Sequence, residues 1–470
     1  MKKIHIKIVS LILLLGVFSC DNLLDLAPTD ILIEKEVFEN VENAEAALSN
    51  AYHKLFLAST GATYSISDAS LLYVGLPEFS SYYRYTEANL DARDQEVENI
   101  WSEYFEVINV SNVFIDKIPV FGTYDETIEL QHIAEAKFNR AYSYWALLSF
   151  YGSGALTGNS EGLCVPIRLK PYVGFNPSDL IPRSTNEEVY TQIIKDLTEA
   201  IEDLPVNHGD NVKTRARATK ASAYALLSRV QLYKRDYQAS IEASNKVLTN
   251  SSYKLEPELL DLFPLNEDGT TSNFSDEVIF GFPVSSNGGN FQYAGHSIGY
   301  YNKYIWVAGD FIDSMDPLDK RRTELIFKGN PLVLDINKVN EKTTFKFNNP
   351  DGRDDIQVIR LAEVLLNKAE ALAQLDGVNE ESVTILNQIR ERSGLLIPVL
   401  VSDFSSKEAL LTALYNERYI ETAFEGRGRF DYIRTNRPLR NPTLTENQKT
   451  FPIPQREIDL SKGILVQNPQ

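Results

Sequence analysis

The sequence predicts a mainly α-helical fold carrying long irregular insertions, and three observations predict it. Several stretches place apolar residues three and four apart, the spacing that gathers them on one helical face. Glycine or aspartate interrupts those stretches where a helix would stop or turn. Residues 251–355 lack that period and are rich in Asn, Gly, Ser, Pro, Asp and aromatic side chains. With 43% hydrophobic and 11% aromatic residues, the chain holds enough apolar material for a large core, which excludes disorder throughout.

The first element is the start, MKKIHIKIVSLILLLGVFSCDN. Its apolar run, residues 8–18, is broken by Ser10 and falls short of the roughly 20 residues that span a bilayer. Lys2, Lys3 and Lys7, a short apolar region and then Val17, Ser19 and Cys20 read as a lipoprotein signal peptide over 1–19. Cys20 is the expected lipidation site, and fatty chains there would anchor the protein to a membrane without crossing it. The mature chain, 20–470, is expected to be a single domain. Its parts are a helical portion over 20–250, a loop-rich insertion over 251–355, and a helical portion with a tail over 356–470.

After a short tether, helix is expected from about Glu34. The stretch LQHIAEAKFNRAYSYWALLSFYG carries Leu130, Ala134, Phe138, Ala141, Trp145 and Leu148 on one face, stopped by Gly152 and Gly154. In KASAYALLSRVQLYKRDYQASIEASNKVLTN, Ala221, Ala225, Leu232 and Tyr233 define one helix. Arg235, Asp236 and Tyr237 make a corner, and Ala239, Ile241 and Val247 define the next helix. Small residues at a helix crossing with Asp-Tyr at the turn resemble tetratricopeptide repeats. A third pair is expected over 359–372 and 381–390, and a further helix over 407–423. DEVIFGFPV and EKTTFKFNN read as short strands. The pairs lie far apart in sequence, so the pattern is a helical scaffold with insertions and not a continuous solenoid.

Charge narrows the function. The chain carries −19, and losing the three signal-peptide lysines takes it to −22. Phosphate binding needs clustered Lys and Arg, so the charge argues against nucleic acid as a partner. With Cys20 lipidated, Cys164 has no disulfide partner and reads as a buried thiol. The five histidines are scattered, so neither a metal site nor a cofactor is expected. No GxSxG, HExxH or phosphate-loop motif occurs, which argues against an enzyme. FEGRGRF, with Glu425, Arg427, Arg429 and Asp431, reads as an Arg–carboxylate network pinning helices together.

In order along the chain, AEAKFNRAYSYWALLSFYG, PRSTNEEVYTQIIKDLTEAIEDLP, ATKASAYALLSRVQLYKRDYQASI, IRLAEVLLNKAEALAQL, LNQIRERSGL, NERYIETAFEGRGRFDYIR and FPIPQREIDLSKGILVQNP resemble the segments of the SusD/RagB family of outer-membrane nutrient-binding lipoproteins. The resemblance covers nearly the whole mature chain. It implies a SusD-like fold with four tetratricopeptide-like helix pairs. It further implies capture of oligosaccharide or polysaccharide without chemistry on it, and a lid-like partnership with a SusC-like TonB-dependent transporter. Asp21 and Asp25 beside Cys20 look like the family's export mark for the outer face of the outer membrane.

Sugar rings have apolar CH faces, and aromatic side chains offer flat amphipathic area at low entropy cost. The expected platform therefore lies in irregular segments, where a rigid scaffold positions function. One cluster is Tyr82, Tyr83, Arg84, Tyr85 and Asn89, with Arg84 able to donate a fork of hydrogen bonds. The other is Tyr300, Tyr301, Tyr304 and Trp306, with Asn302 and Asp310 nearby. Trp145 and Trp101, on helical patterns, are expected in the core. Two other occupants fit the same frame: a peptide or other non-glycan nutrient, or a protein partner held by tetratricopeptide-like helices.

Overall fold

The computed structural model describes residues 34–76, 90–264, 272–284, 306–328, 342–347 and 354–469. Cys20 and the segments 77–89 and 285–305 lie outside the described residues. The N-terminal part begins with α1 (Glu34–Glu39), α2 (Val41–Thr60) and α3 (Ala62–Ala69), followed by the two-residue strand β1 (Val74–Gly75). Then come α4 (Gln95–Phe121), α5 (Glu126–Tyr151), α6 (Asn186–Asp203), α7 (Asn211–Ala216), α8 (Lys220–Lys234) and α9 (Tyr237–Leu248).

Helix α5 is the central column. Asp125 caps it by accepting from the Thr127 and Ile128 amides at 2.9 and 3.3 Å, and Gly152 ends it. From Ala134 onward nearly every side chain is buried, as expected of a helix surrounded by others, here α2, α4, α6 and α8. Leu130, expected on the buried face, is instead 40% exposed: the early part of α5 turns His132 inward, 3.3 Å from Glu45 on α2, and leaves Leu130 outward with Glu126 and Thr127. Trp101 is core, its ring 4.9 Å from Phe105 and 5.2 Å from Tyr151. Cys164 is buried and free, and burial pushes its thiol up to about 12.

The corner between α8 and α9 forms as the sequence predicts. Arg235 takes the left-handed conformation, φ 68°, and Asp236 accepts from the Ala239 amide at 3.2 Å. Ser240 Oγ donates to the Ser228 carbonyl at 2.8 Å, so small side chains let these helices meet closely. Ala225 on α8 is 1% exposed. Ala225→Trp is expected to destabilise by about 1–3 kcal/mol or more through overpacking, and a melting temperature unchanged within error would contradict this packing.

The second half runs β2 (Val278–Phe282), β3 (Trp306–Val307), α10 (Gly309–Ser314), α11 (Lys320–Thr323), β4 (Ile326–Lys328), β5 (Lys342–Thr344), β6 (Ile356–Arg360), α12 (Leu361–Asp376), α13 (Glu380–Arg392), α14 (Lys407–Glu421), α15 (Gly428–Arg434) and α16 (Gln455–Leu460). Ile359 and Arg360, expected inside the third helix pair, close a strand. The β-branched residues of β6 pair antiparallel with β2, Phe282 opposite Ile356 and Val278 opposite Arg360, and helix starts only at Leu361. Among the described residues the strands form three two-stranded ladders, β1–β3, β2–β6 and β4–β5. No described helix is long and apolar enough to cross a membrane.

Candidate ligand-binding mouth

The β1–β3 ladder joins the two segments singled out from the sequence. Gly75 pairs with Trp306 and Val74 with Val307, antiparallel. Gly75 is thus the last paired residue before 77–89, and Trp306 is the first described residue after 285–305. Tyr82, Tyr83, Arg84, Tyr85 and Asn89, and Tyr300, Tyr301 and Tyr304, lie outside the described residues. The points from which their segments leave the frame are adjacent. The ladder β4–β5 brackets a further segment, 329–341, and β5 lies against β3.

Trp306 is half-buried. A Cβ at Gly75 would stand 1.8 Å from Trp306 Nε1. Only glycine allows the indole to lie on the backbone there. The Ala308 amide donates to the Tyr73 carbonyl at 2.9 Å. Asp310, considered as a partner for sugar hydroxyls, is exposed on α10.

The frame beneath the ladder is rigid for identifiable reasons. Tyr73 is buried, its ring 4.8 Å from Phe424, 5.4 Å from Tyr419 and 5.7 Å from Phe311, and its hydroxyl donates to Asp68. The Arg440 guanidinium donates to the carbonyls of Ala69, Leu71 and Val74. One arginine therefore fixes the whole approach from α3 to β1. Asp355 does the same for another segment exit, accepting from Ser272 Oγ, the Asn273 amide and the Val284 amide at 2.7, 2.8 and 2.7 Å.

Deeper still, FEGRGRF belongs to a buried ion network. Arg360, 1% exposed at its side chain, meets Glu277, Glu421 and Glu425 at 2.8, 2.6 and 2.9 Å. Arg392 meets Glu277 and Glu421, and Arg321 meets Asp319, Glu417 and Glu421. Lys346, just after β5, donates to Glu425 at 2.7 Å and to the Glu421 carbonyl at 2.8 Å. Arg427 bridges Glu425 to Glu363, which Arg229 also holds. Burial would raise the Glu425 carboxyl, but Arg360, Lys346 and Arg427 outweigh it and hold it at about 2. Burial likewise opposes ionisation of Glu421, and Arg392, Arg360 and Arg321 drive it well below the usual carboxylate range. Carboxylates so buried and so paired offer neither a general base nor an accessible acid. Arg429 stands apart, donating to Ser70 Oγ at 2.9 Å and to the Lys449 carbonyl at 2.8 Å. The motif ties β2, β5, β6 and α12–α14 together and supports the segment exits from below.

Two small pockets do not compete as sugar sites. One, among Tyr73, Tyr415, Tyr419 and Tyr432, has about 10 Å³, and the Arg437 guanidinium covers the Tyr432 ring at 4.0 Å. The other, among Ser59, Tyr64, Tyr104 and Trp145, has about 30 Å³. These suit about one and two water molecules. The sequence does not disclose Tyr73, Gly75 or Arg440 as parts of the site, because a two-residue ladder leaves no periodic signal.

The described frame is helical and sets the ladders β1–β3 and β4–β5 against each other through β3 and β5. The chain belongs to the SusD family: a model described as "Starch-binding associating with outer membrane" matches residues 29–232, and the SusD family model matches residues 233–449. SusD-like protein P2 of Formosa agariphila is 25% identical, covering 98% of this chain and 99% of its own. A SusD superfamily protein of Bacteroides thetaiotaomicron superposes with a TM-score of 0.74 at 25% identity, over 91% of this chain and 99% of its own. Surface glycan-binding protein A of Bacteroides thetaiotaomicron, solved with laminarihexaose, shares the fold with a TM-score of 0.71 at 18% identity, over 91% of this chain and 99% of its own.

Proposed function

We propose that the protein is an outer-membrane lipoprotein, anchored through Cys20 and facing the cell exterior. It binds an oligosaccharide or polysaccharide and hands it to a SusC-like TonB-dependent transporter, with no reaction on the sugar. The observation that carries the reading is the β1–β3 ladder, which pairs Gly75, just before the segment of Tyr82–Tyr85, with Trp306, just after the segment of Tyr300–Tyr304. Membership of a family described as starch-binding and outer-membrane-associated supports the ligand class and the location. The glycan-bound neighbour of the same fold supports a glycan ligand.

Titration calorimetry against a panel of glucans and other glycans, with analysis of the recovered sugar, tests the reading. One or more glycans bind and come back intact; cleavage products would mark an enzyme, and a panel without binding would remove the glycan. Trp306→Ala is expected to weaken binding about tenfold, since stacking on one ring is worth about 0.5–1.5 kcal/mol and tenfold is about 1.4 kcal/mol. Unchanged affinity per folded molecule would take Trp306 out of the site. Cys20→Ala is expected to abolish labelling by a tagged fatty acid and to release the protein from the membrane fraction; persistent label would refute the anchor.

A further inference from the structure

We infer that a second, separate surface docks a protein segment bearing an aliphatic side chain beside a lysine or arginine. The surface is a groove of about 600 Å³ between the 255–257 segment, the 318–320 segment and the C-terminal end of α13. That volume is in the range of ligand pockets. The Lys320 amide donates to the Ser393 carbonyl at 2.8 Å, which locks two of its walls together. Gly394, at φ 84°, lets them close, since a Cβ there would meet Lys320 Cγ at 2.9 Å.

The lips are aliphatic and strongly exposed: Leu318 is 72% exposed and Leu396 75%, with Ile397 next in the chain at 81%. On an acidic protein, such clustered aliphatics mark an interaction surface. Leu255 and Pro257 continue the apolar lining, and among the described residues no aromatic ring lines the groove. Without a flat ring the groove offers no platform for a sugar face, whereas branched aliphatic walls fit an aliphatic side chain.

The charge of the partner follows from which groups are already spent. Arg392 is neutralised by Glu277 and Glu421, and Lys320 is paired with Glu258 at 3.2 Å. Glu256 and Glu391 also line the groove. With both cations neutralised, the lining presents a net negative rim, and a cation beside the apolar anchor is its complement. This inference does not rest on the glycan reading.

The test uses the full mature protein and two amidated peptides of about ten residues, alike except that one carries Lys-Leu-Leu at its centre and the other Glu-Leu-Leu, read by fluorescence anisotropy. The Lys peptide is expected to bind at least about tenfold more tightly than the Glu peptide. Leu396→Glu is expected to weaken it about tenfold or more, and Glu391→Lys to reverse the preference. Both residues are exposed, so unchanged melting shows that the variants fold, and Val173→Glu, at an 87% exposed position elsewhere, leaves peptide binding unchanged. Equal affinity for the two peptides, no binding of either, or indifference to Leu396→Glu overturns the inference. Concentration-dependent dimerisation abolished by Leu396→Glu would reassign the groove to a second copy of the chain. Protection of the groove by a glycan of the panel would reassign it to sugar.

Discussion

Arg360→Ala is expected to lower stability by about 3–5 kcal/mol, as when one partner of a buried ion pair is removed and the others are left behind. The arginine side chain is 1% exposed and contacts three carboxylates, Glu277, Glu421 and Glu425. Its Nη2 also donates to the Glu421 carbonyl at 2.6 Å. Arg229, Arg321, Lys346, Arg392 and Arg427 remain in the variant against Asp319, Glu277, Glu363, Glu417, Glu421 and Glu425, so the cluster is left one negative charge in excess in a medium that solvates it poorly. A loss of packing alone would be independent of pH, and this loss is not. In the native protein Glu425 is held at about 2 and Glu421 well below its ordinary value. Their folded-state values lie below the unfolded ones, so the stability they contribute is fully present above about pH 4.5 and disappears as pH falls toward 2. Removing Arg360 raises both carboxyls, so the variant has less of this stability to lose. The gap between native and variant proteins in denaturant titrations should therefore be widest near neutrality and narrow below pH about 4. A gap that is constant from pH 7 to pH 3 would show that Arg360 acts by volume alone. Adding Glu425→Gln to Arg360→Ala should recover part of the loss, because it removes the excess charge.

What the sequence disclosed depended on how far apart the cooperating residues lie. Helices α5, α8 and α9 were legible because their packing repeats every few residues, and the corner at Arg235 and Asp236 carries its own turn chemistry. The pattern could not tell that α5 is buried on all sides, nor that Leu130 escapes burial, since both follow from which neighbours surround each turn. Strand β6 was hidden because Ile359 continues smoothly into the apolar spacing of α12; its partner β2 lies far upstream. The motif around Glu425 and Arg427 was readable as structural, but Arg360, Glu277 and Glu363 were not readable as its partners, for ion pairing across such separations leaves no local trace. The same holds for the mouth. Two aromatic-rich segments were visible, and the pairing of the described residues that flank them was not, because it rests on Gly75 accepting the Trp306 indole. Eight of the nine candidate ligand residues lie outside the described segments, so their roles stay within the proposal.

Trp145→Ala should cost about 3–5 kcal/mol, the usual penalty for truncating a buried aromatic, and Trp145→Phe should cost much less. The indole is 3% exposed and joins three parts of the fold. Its ring lies 5.8 Å from Tyr142 on its own helix, 6.1 Å from Tyr233 on α8 and 5.9 Å from Phe430 on α15. The Arg229 guanidinium stands 4.9 Å from it, and that arginine also holds Glu363 at 2.6 Å. Truncation to alanine therefore opens a void where a cavity of about 30 Å³ already lies against the ring, and it strips one face from a buried cation. The void term grows with volume, because the surrounding helices relax only in part. Phenylalanine keeps most of the ring contacts. It also deletes Nε1, which is buried without a hydrogen-bond partner among the described residues, so nothing polar is left newly unsatisfied. Chemical denaturation of the three proteins decides the point. If phenylalanine proves as costly as alanine, the indole nitrogen is engaged in a bond that holds the core together, and the packing account of Trp145 fails.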